Sequence, residues 1–383
     1  KDMALQILPH FMVKAMEKTG EQCEIVILVA TSGDTGKAAL EGFADVERSR
    51  IIVFYPHEGV SEVQKYQMIT QTGSNVKVVA VRGNFDDTQT GVKRIFTDKE
   101  LIGKMERKNL KFSSANSINW GRLVPQIVYY FSAYADMLKS GVIYPGDSIN
   151  FVVPTGNFGN ILAGFYAKKM GLPVNKLICA SNDNNVLTDF IRTGVYDRRR
   201  EFVKTISPSM DILISSNLER LLYELSDHDS RKVSNWMQQL NEQGYYKVDA
   251  ALLGEIQDHF WADWSNQEET LRTIECIYRD CGYVSDTHTA VGIDVYDKYV
   301  ITTGDLTPTV TLSTASPFKF NESVCSALFG KDELDGKDEF EMLEYLSEKT
   351  GWPIPEGLKD LNRKEILHTA VCGKEEMKNL VEN

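Results

Sequence analysis

The segment Pro154-Thr-Gly-Asn-Phe-Gly-Asn160 has the residue types and spacing of a loop that holds a phosphate group. It follows a run of strand-forming residues at 149–154 and precedes an apolar helical pattern at 161–167. Glycines let the backbone approach an anion, and the first turn of a helix offers free N–H groups and the positive end of its dipole. The same glycines would also serve an ordinary strand-to-helix turn, so the loop alone leaves both interpretations open.

A second candidate loop, Thr31-Ser-Gly-Asp-Thr-Gly-Lys37, follows a predicted strand at Glu24–Ala30 and opens a helical pattern. It is not a Walker loop, because the glycine spacing is too short and Ala38 stands where serine or threonine is needed. Its hydroxyl and N–H groups would hold a carboxylate or a phosphate. Alternatively, Ser32 or Asp34 caps the helix. The two roles are compatible, and the density of glycines and polar residues favours a ligand loop.

Two further loops carry groups that could contact a ligand. The segment 113–119 ends in Asn119 and precedes Arg122, whose guanidinium could bind an anion in a bidentate manner. The segment 311–319 offers Thr314, a hydroxyl at a strand end that could bond a ring nitrogen without carrying charge. An elaborate helix start and an ordinary strand exit are the simpler readings of these loops. His288 is either a base or substrate contact, or a structural residue at a helix start.

Composition excludes several classes of function. The 383 residues carry a net charge of −12, which disfavours nucleic acid and anionic membranes as partners. No apolar run approaches the roughly 18 residues that a bilayer requires. The cysteines lack the spacing of a zinc site, so no metal is expected, and free thiols in a reducing cytoplasm are favoured over disulfides. They are Cys23, Cys179, Cys276, Cys281, Cys325 and Cys372.

The elements that must position these loops alternate between strand and helix patterns. The strand candidates lie at 24–30, 50–55, 75–81, 149–153, 176–180 and 309–314. This alternation predicts an α/β fold with mostly parallel sheets flanked by helices, in which ligands bind at the carboxyl ends of strands. A long helix is predicted at 122–138, a helical insertion at about 184–281, and a helical, acidic segment after Phe329.

Five stretches, in this order, resemble one family. They are Lys1-Asp2 before a helix, Thr31-Ser-Gly-Asp-Thr-Gly36, Ser114-Ala-Asn-Ser-Ile-Asn119, Gly156-Asn-Phe-Gly-Asn160 and Ser313-Thr-Ala-Ser-Pro-Phe-Lys-Phe320. Together they are similar to threonine synthases, pyridoxal-phosphate (PLP) enzymes of fold type II, the tryptophan-synthase-β-like fold. The resemblance covers most of residues 1–330 and fades in the helical insertion and the acidic tail.

The resemblance implies a role for each loop. Lys1 matches the family's Schiff-base lysine, although the preceding half of its Phe-Lys-Asp motif is absent, and this lysine would also act as the general base. The implied cofactor-binding residues are Lys1, Gly156, Asn157, Phe158, Gly159, Asn160 and Thr314. The implied substrate-binding residues are Ser32, Gly33, Asp34, Thr35, Gly36, Asn116, Ser117 and Asn119. To these we add Arg122 and Lys319 as candidates for binding the substrate phosphate.

The resemblance also implies an activity and a domain organisation. The reaction would convert O-phospho-L-homoserine and water to L-threonine and phosphate by β,γ-elimination and replacement, in a cytoplasmic monomer or homodimer. The alternatives are a PLP-dependent phospholyase, a serine/threonine dehydratase, or a catalytically inactive homologue that binds a phosphorylated ligand. The implied domains are a helix at 1–20 belonging to the large PLP domain, a smaller mobile α/β domain at 21–140, the large domain at 141–330 and a C-terminal segment at 331–383.

Overall fold

The computed structural model describes residues 2–31, 33–58 and 60–382, without the side chain of Asp86. The predictions for Lys1 and Ser32 therefore lie outside the described residues. The helices are α1 Asp2–Thr19, α2 Asp34–Phe43, α3 Glu62–Ile69, α4 Phe85–Thr97, α5 Lys99–Arg107, α6 Trp120–Lys139, α7 Gly159–Lys169, α8 Val186–Thr193, α9 Leu218–Leu225, α10 Ser230–Gln243, α11 Ala250–His259, α12 Gln267–Cys281, α13 Thr287–Thr303, α14 Asn321–Phe329, α15 Glu339–Thr350 and α16 Met377–Glu382. The strands are β1 Glu24–Ala30, β2 Ser49–Pro56, β3 Val76–Arg82, β4 Leu110–Ser113, β5 Ile149–Pro154, β6 Val174–Ser181, β7 Val195–Asp197, β8 Tyr245–Lys247, β9 Phe260–Trp264, β10 Thr309–Thr311 and β11 Ala370–Gly373.

The first sheet has the strand order β11-β3-β2-β1-β4, and all of its pairs are parallel. Successive residues of β1 enter different cores: Ile27 and Val29 pack with α1, α2 and α3, whereas Val26 and Leu28 pack with α4, α5 and α16. Because both faces of the sheet are covered, β1 is a continuous apolar run rather than an alternating one.

The second sheet has the order β10-β5-β6-β9 and is also parallel. Helix α13 covers one face, where Val291 and Val295 pack against Val152 and Ile178. Every residue of β5 is buried, as expected for a central strand between helical layers. A separate antiparallel pair, β7-β8, stacks two tyrosine rings 5.3 Å apart; they belong to Tyr196 and Tyr246.

The chain divides into two compact units. Unit 1 comprises Lys1–Pro125, Asp338–Ser347 and Gly351–Asn383, and unit 2 comprises Gln126–Lys337 and Glu348–Thr350. Helix α1 contributes Leu5 and Leu8 to the core of unit 1. The domains implied by the resemblance also assign mobility and cofactor binding, and they stay a prediction.

The predicted α/β fold class is confirmed. All six predicted strands are present, and β1 has the predicted limits. The sequence patterns missed five strands: β4, β7, β8, β9 and β11. All of these except β4 lie in regions predicted to be helical, and each is only three to five residues long, too short for the pattern to separate a strand from a helix turn. No helix among the described residues combines the length and apolar character needed to cross a membrane.

Candidate ligand-binding site

The loop between β5 and α7 makes a sharp turn at the carboxyl edge of the second sheet. Phe158 adopts a left-handed conformation, with a φ of 62°, immediately before the helix starts at Gly159. Such a conformation is uncommon outside glycine. Its ring is buried and lies 5.6 Å from the ring of Phe260, measured between centroids. The buried ring therefore anchors the point at which the chain enters the helix.

The carbonyl groups of this loop are bonded to a distant segment. The Ser215 hydroxyl donates to the carbonyl of Gly156 (2.8 Å). The carbonyl of Asn157 accepts the backbone N–H of Asn217 (3.2 Å) and its side-chain amide (2.9 Å). By contrast, among the residues that the structure describes, no hydrogen bond is donated by the backbone N–H groups of 156–160. Unbonded N–H groups at a helix start form an anion site, so a phosphate group fits here.

Gly156 is required by close packing. A Cβ atom at this position would lie 2.9 Å from the carbonyl oxygen of Ser209 and 3.1 Å from Cα of Met210. These are backbone atoms, which cannot move away as a flexible side chain would. The loop therefore rests directly on the backbone of 209–210.

Tyr130 supports the helix start. Its hydroxyl donates to the carbonyl of Asn160 (2.7 Å) and lies 3.0 Å from the side-chain oxygen of the same residue. Burial raises the pKa of Tyr130 well above its usual value, so the group stays a neutral donor. Tyr130 lies within the long helix predicted at 122–138, but the sequence gave no sign of this contact.

Thr314 follows β10, which pairs with β5 in the register Thr309↔Asn150 and Thr311↔Val152. The pairing continues beyond the strand, since the N–H of Leu312 donates to the carbonyl of Val152 (3.0 Å). Adjacent parallel strands end at the same edge of a sheet. The structure thus brings Thr314, which is exposed, and the loop at 155–160 to one edge, as predicted.

In unit 1, the loop at 31–37 is organised by a residue that the sequence did not single out. The Thr31 hydroxyl oxygen accepts the N–H groups of Gly33 and Gly36, both at 3.0 Å. The N-cap of α2 is Gly33, so the expectation that Ser32 or Asp34 caps this helix is wrong for Asp34, which is the first helical residue. Gly33 has a φ of 149°, a conformation that only glycine adopts readily.

Two predicted substrate contacts in this loop have different surroundings. The Asp34 carboxylate accepts the side-chain amide of Gln64 (3.2 Å), which fixes its direction. Thr35 is half-buried in the first turn of α2. The roles of Gly33, Asp34, Thr35 and Gly36 in binding substrate stay a prediction.

In the loop at 113–122, also in unit 1, Asn119 is bonded at both ends of its amide. Its nitrogen donates to the carbonyl of Ser114 (2.8 Å) and its oxygen accepts the N–H of Gly121 (3.0 Å). Arg122 is 6% exposed and donates to the carbonyl of Ala115 (2.9 Å). Both side chains therefore shape the loop, which gives each a structural role beside the predicted one.

Three further predicted substrate-binding residues lie in partly buried positions. Asn116 and Ser117 are half-buried between these two anchors. Lys319 is half-buried within the 3-10 turn Pro317–Phe320, whose N-cap is Ser316. Their substrate roles stay predictions. Among the described residues, no group of histidine, cysteine and carboxylate side chains could hold a metal ion.

His288 is held as a structural residue. Its Nε2 accepts the N–H of Ser209 (3.1 Å), so the ring proton lies on Nδ1, which is 3.0 Å from a carboxylate oxygen of Asp286. The residue is 2% exposed. With both ring nitrogens engaged in the protein, the structural reading of His288 is favoured over a role as a base.

The fold and loop define an α/β protein that presents an anion-binding helix start at the carboxyl edge of a parallel sheet. Residues 289–371 match the family model described as threonine synthase, C-terminal. Threonine synthase of Saccharomyces cerevisiae is 36% identical over 404 residues, covering 100% of this chain and 74% of the yeast protein. The chain belongs to the threonine synthase family.

Two further comparisons bear on this family. Human threonine synthase-like 1 is 44% identical over 335 residues, which cover 86% of this chain but only 44% of that protein, so the chain spans less than half of this relative. The crystal structure of PLP-bound threonine synthase from Brucella melitensis has a TM-score of 0.85 and 36% identity, covering 99% of this chain and 74% of that one. The match extends over both compact units.

Proposed function

We propose that this protein is a PLP-dependent threonine synthase, a lyase that converts O-phospho-L-homoserine and water to L-threonine and phosphate. The observation that carries the proposal is the loop at 156–160, whose carbonyl groups are bonded to Ser215 and Asn217 and whose N–H groups are left as donors. The threonine synthase from Brucella melitensis has PLP bound in its crystal structure, and PLP carries one phosphate group.

The proposed cofactor site combines three contacts. The N–H groups of the loop bind the phosphate, with the positive end of the α7 dipole behind them. The Thr314 hydroxyl bonds the ring nitrogen. Lys1 would hold the cofactor, and as general base it would accept the proton of the substrate Cα. When bound, PLP supplies the electron sink for the charge that develops beside this carbon.

The proposed substrate site uses both polar loops of unit 1. The backbone and side chains of 33–36 bind the amino-acid end of the substrate, and Asn116 and Ser117 lie in the element that faces it. Arg122 and Lys319 remain the candidates for binding the substrate phosphate. A cytoplasmic location and a monomer or homodimer are also part of the proposal, with a small-molecule substrate and with neither nucleic acid nor a membrane as a partner.

The test is the visible absorbance of the purified full-length protein with PLP. We expect a band from the lysine-bound cofactor that disappears on reduction with borohydride, and we expect the Lys1→Ala variant to lack it while still folding and binding PLP weakly. A full-length protein without this band would contradict PLP as the cofactor. An unchanged band and unimpaired turnover in Lys1→Ala would contradict the assignment of Lys1.

A second candidate is a catalytically inactive homologue that binds a phosphorylated ligand. It is favoured by one observation: the human relative, at 44% identity, is named threonine synthase-like rather than threonine synthase. This candidate predicts that O-phospho-L-homoserine binds without releasing phosphate. A phospholyase would release phosphate but yield a keto acid in place of threonine, so product analysis separates the three.

A further inference from the structure

A buried polar cluster at the start of α13 contacts two places next to the proposed cofactor site: the backbone that supports the phosphate loop, and the strand end that carries Thr314. Asp286, His288 and Thr289 are between 1% and 3% exposed. One oxygen of Asp286 accepts the N–H groups of His288 (2.8 Å) and Thr289 (3.3 Å) and also bonds Nδ1 of the histidine ring. The other oxygen accepts the Thr289 hydroxyl. A single carboxylate thus fixes two side chains, whereas capping the helix requires only the backbone bonds.

His288 contacts the backbone segment on which the phosphate loop packs. Nε2 of His288 accepts the N–H of Ser209, and the edge of the ring packs on Phe320, with 4.7 Å between centroids. The carbonyl oxygen of the same serine is the atom that a Cβ at Gly156 would meet at 2.9 Å. His288 therefore sets the position of the backbone on which the loop rests.

Thr289 contacts the strand end that carries Thr314. The hydroxyl oxygen of Thr289 accepts the backbone N–H of Thr314 (3.3 Å) while its proton is donated to Asp286. One hydroxyl therefore serves as acceptor and donor at once, and only a serine or threonine at position 289 can make both bonds in this geometry.

We propose that Asp286 is a positioning residue that holds the phosphate loop and Thr314 at the spacing the cofactor needs, acting through His288 and Thr289. This inference rests on the proposed function. A ligand bound at its phosphate and at its ring nitrogen is held in one orientation only if the two contacts keep a fixed separation. Both hydrogen bonds join residues that are far apart in the sequence. His288 and Ser209 are 79 positions apart, and Thr289 and Thr314 are 25 positions apart.

The experiment compares Thr289→Val, which keeps the shape but loses the hydroxyl, with Thr289→Ser, which keeps the hydroxyl. The full-length protein is stripped of cofactor and titrated with PLP, and the circular dichroism of the bound cofactor is recorded. We expect Thr289→Val to raise the Kd of PLP about 10-fold and to weaken the dichroism band, and Thr289→Ser to stay within about twofold of wild type.

The matched control is Thr270→Val, which removes the hydrogen bond of another buried threonine in unit 2, from its hydroxyl to the carbonyl of Asn266. This variant is expected to lower the melting temperature as Thr289→Val does, with no change in the Kd of PLP. An equal rise in the Kd of PLP for both valine variants would show that the cluster contributes only to general stability. That result would overturn the positioning role.

A second measurement does not depend on the cofactor. Hydrogen exchange of the cofactor-free protein should show faster exchange at Thr314 in Thr289→Val, and at Ser209 as well as Thr314 in Asp286→Asn, than in wild type. Unchanged exchange together with an unchanged Kd in Thr289→Val overturns the inference. Failure of the wild-type protein to bind PLP would overturn the proposed function and, with it, the positioning role, even if exchange were faster in the variants.

Discussion

At the scale of single residues, Gly156 packs so closely on 209–210 that the loop depends on the absence of a side chain. The sequence predicted this glycine as part of a phosphate loop, because its turn signal is local. It did not predict the contact with Ser209, since that contact joins segments more than 50 positions apart. The proposed positioning role of Asp286 could not be predicted from the sequence either, because it depends on the directions that the His288 and Thr289 side chains take in the folded protein.

The first prediction concerns Gly156→Ala. The new Cβ would lie 2.9 Å from a backbone oxygen, so we expect a loss of about 1–3 kcal/mol in the free energy of unfolding and a weaker affinity for PLP. Urea unfolding of the cofactor-free protein and a PLP titration measure the two effects.

The control is Gly254→Ala, at an exposed position in α11 where a Cβ would meet no atom within 4 Å. Replacing a helical glycine by alanine there should stabilise the protein by about 0.5–1 kcal/mol without changing PLP affinity. Full stability and normal PLP binding in Gly156→Ala would show that the loop has room for a side chain and would contradict the packing described here.

At the scale of elements, Asp305 ties three strands of the second sheet at their amino ends. Its carboxylate accepts the side-chain amides of Asn150 (3.1 Å) and Asn175 (3.2 Å) and the N–H of Thr307 (2.9 Å), and also the hydroxyl of Tyr299. Burial by itself would raise the pKa of Asp305, but the bonds from Thr307, Tyr299 and Asn150 together outweigh it and hold this pKa well below its usual range.

A lowered pKa in the folded state predicts a specific pH dependence. The bonds stabilise the fold fully above the unfolded-state pKa of about 4, and this stabilisation is lost as the pH falls toward the folded-state pKa. We expect Asp305→Asn to lower the free energy of unfolding by about 1 kcal/mol at pH 7, after allowance for solvent screening. The difference in this free energy between the variant and wild type should become smaller below about pH 4. Urea unfolding at several pH values measures it.

The exposed substitution Asp332→Asn controls for the change in net charge and should leave stability nearly unchanged at every pH. A gap between wild type and Asp305→Asn that stays constant down to pH 2 would show that the carboxylate does not titrate as described.

Elements also show where reading the sequence succeeded. Strand β1 was predicted within its observed limits because six of its seven residues, Ile25 to Ala30, are apolar and the strand lies between clear turn signals. Strand β11 was missed because it has only four residues and is fixed by pairing with β3, almost 300 positions earlier in the chain. Local pattern specifies the central strands, whereas short edge strands depend on tertiary pairing.

At the scale of the whole molecule, the six cysteines carry thiols rather than disulfide bonds, as the sequence predicted. Cys281 is exposed and Cys276 is partly exposed, whereas the other four are buried: Cys23, Cys179, Cys325 and Cys372. Burial raises the pKa of both Cys179 and Cys325 to about 12, so these thiols hold almost no thiolate at neutral pH.

We therefore expect a disulfide reagent such as DTNB, at neutral pH, to modify Cys281 rapidly, Cys276 more slowly and the four buried thiols only after denaturation. The number of protein thiols that have reacted is followed with time, before and after addition of urea, by the absorbance of the thionitrobenzoate that the reagent releases. The Cys281→Ser variant should lose the fast phase alone. Rapid reaction of four or more thiols in the native protein would mean that the cores of the two units open readily.

The proposed reaction of the whole protein is the conversion of O-phospho-L-homoserine to L-threonine. The most direct measurement is to incubate the full-length protein with PLP and this substrate and to quantify both inorganic phosphate and the amino-acid product. We predict phosphate and L-threonine in equal amounts, with neither formed by Lys1→Ala. Phosphate accompanied by a keto acid, or binding of the substrate without release of phosphate, would contradict it.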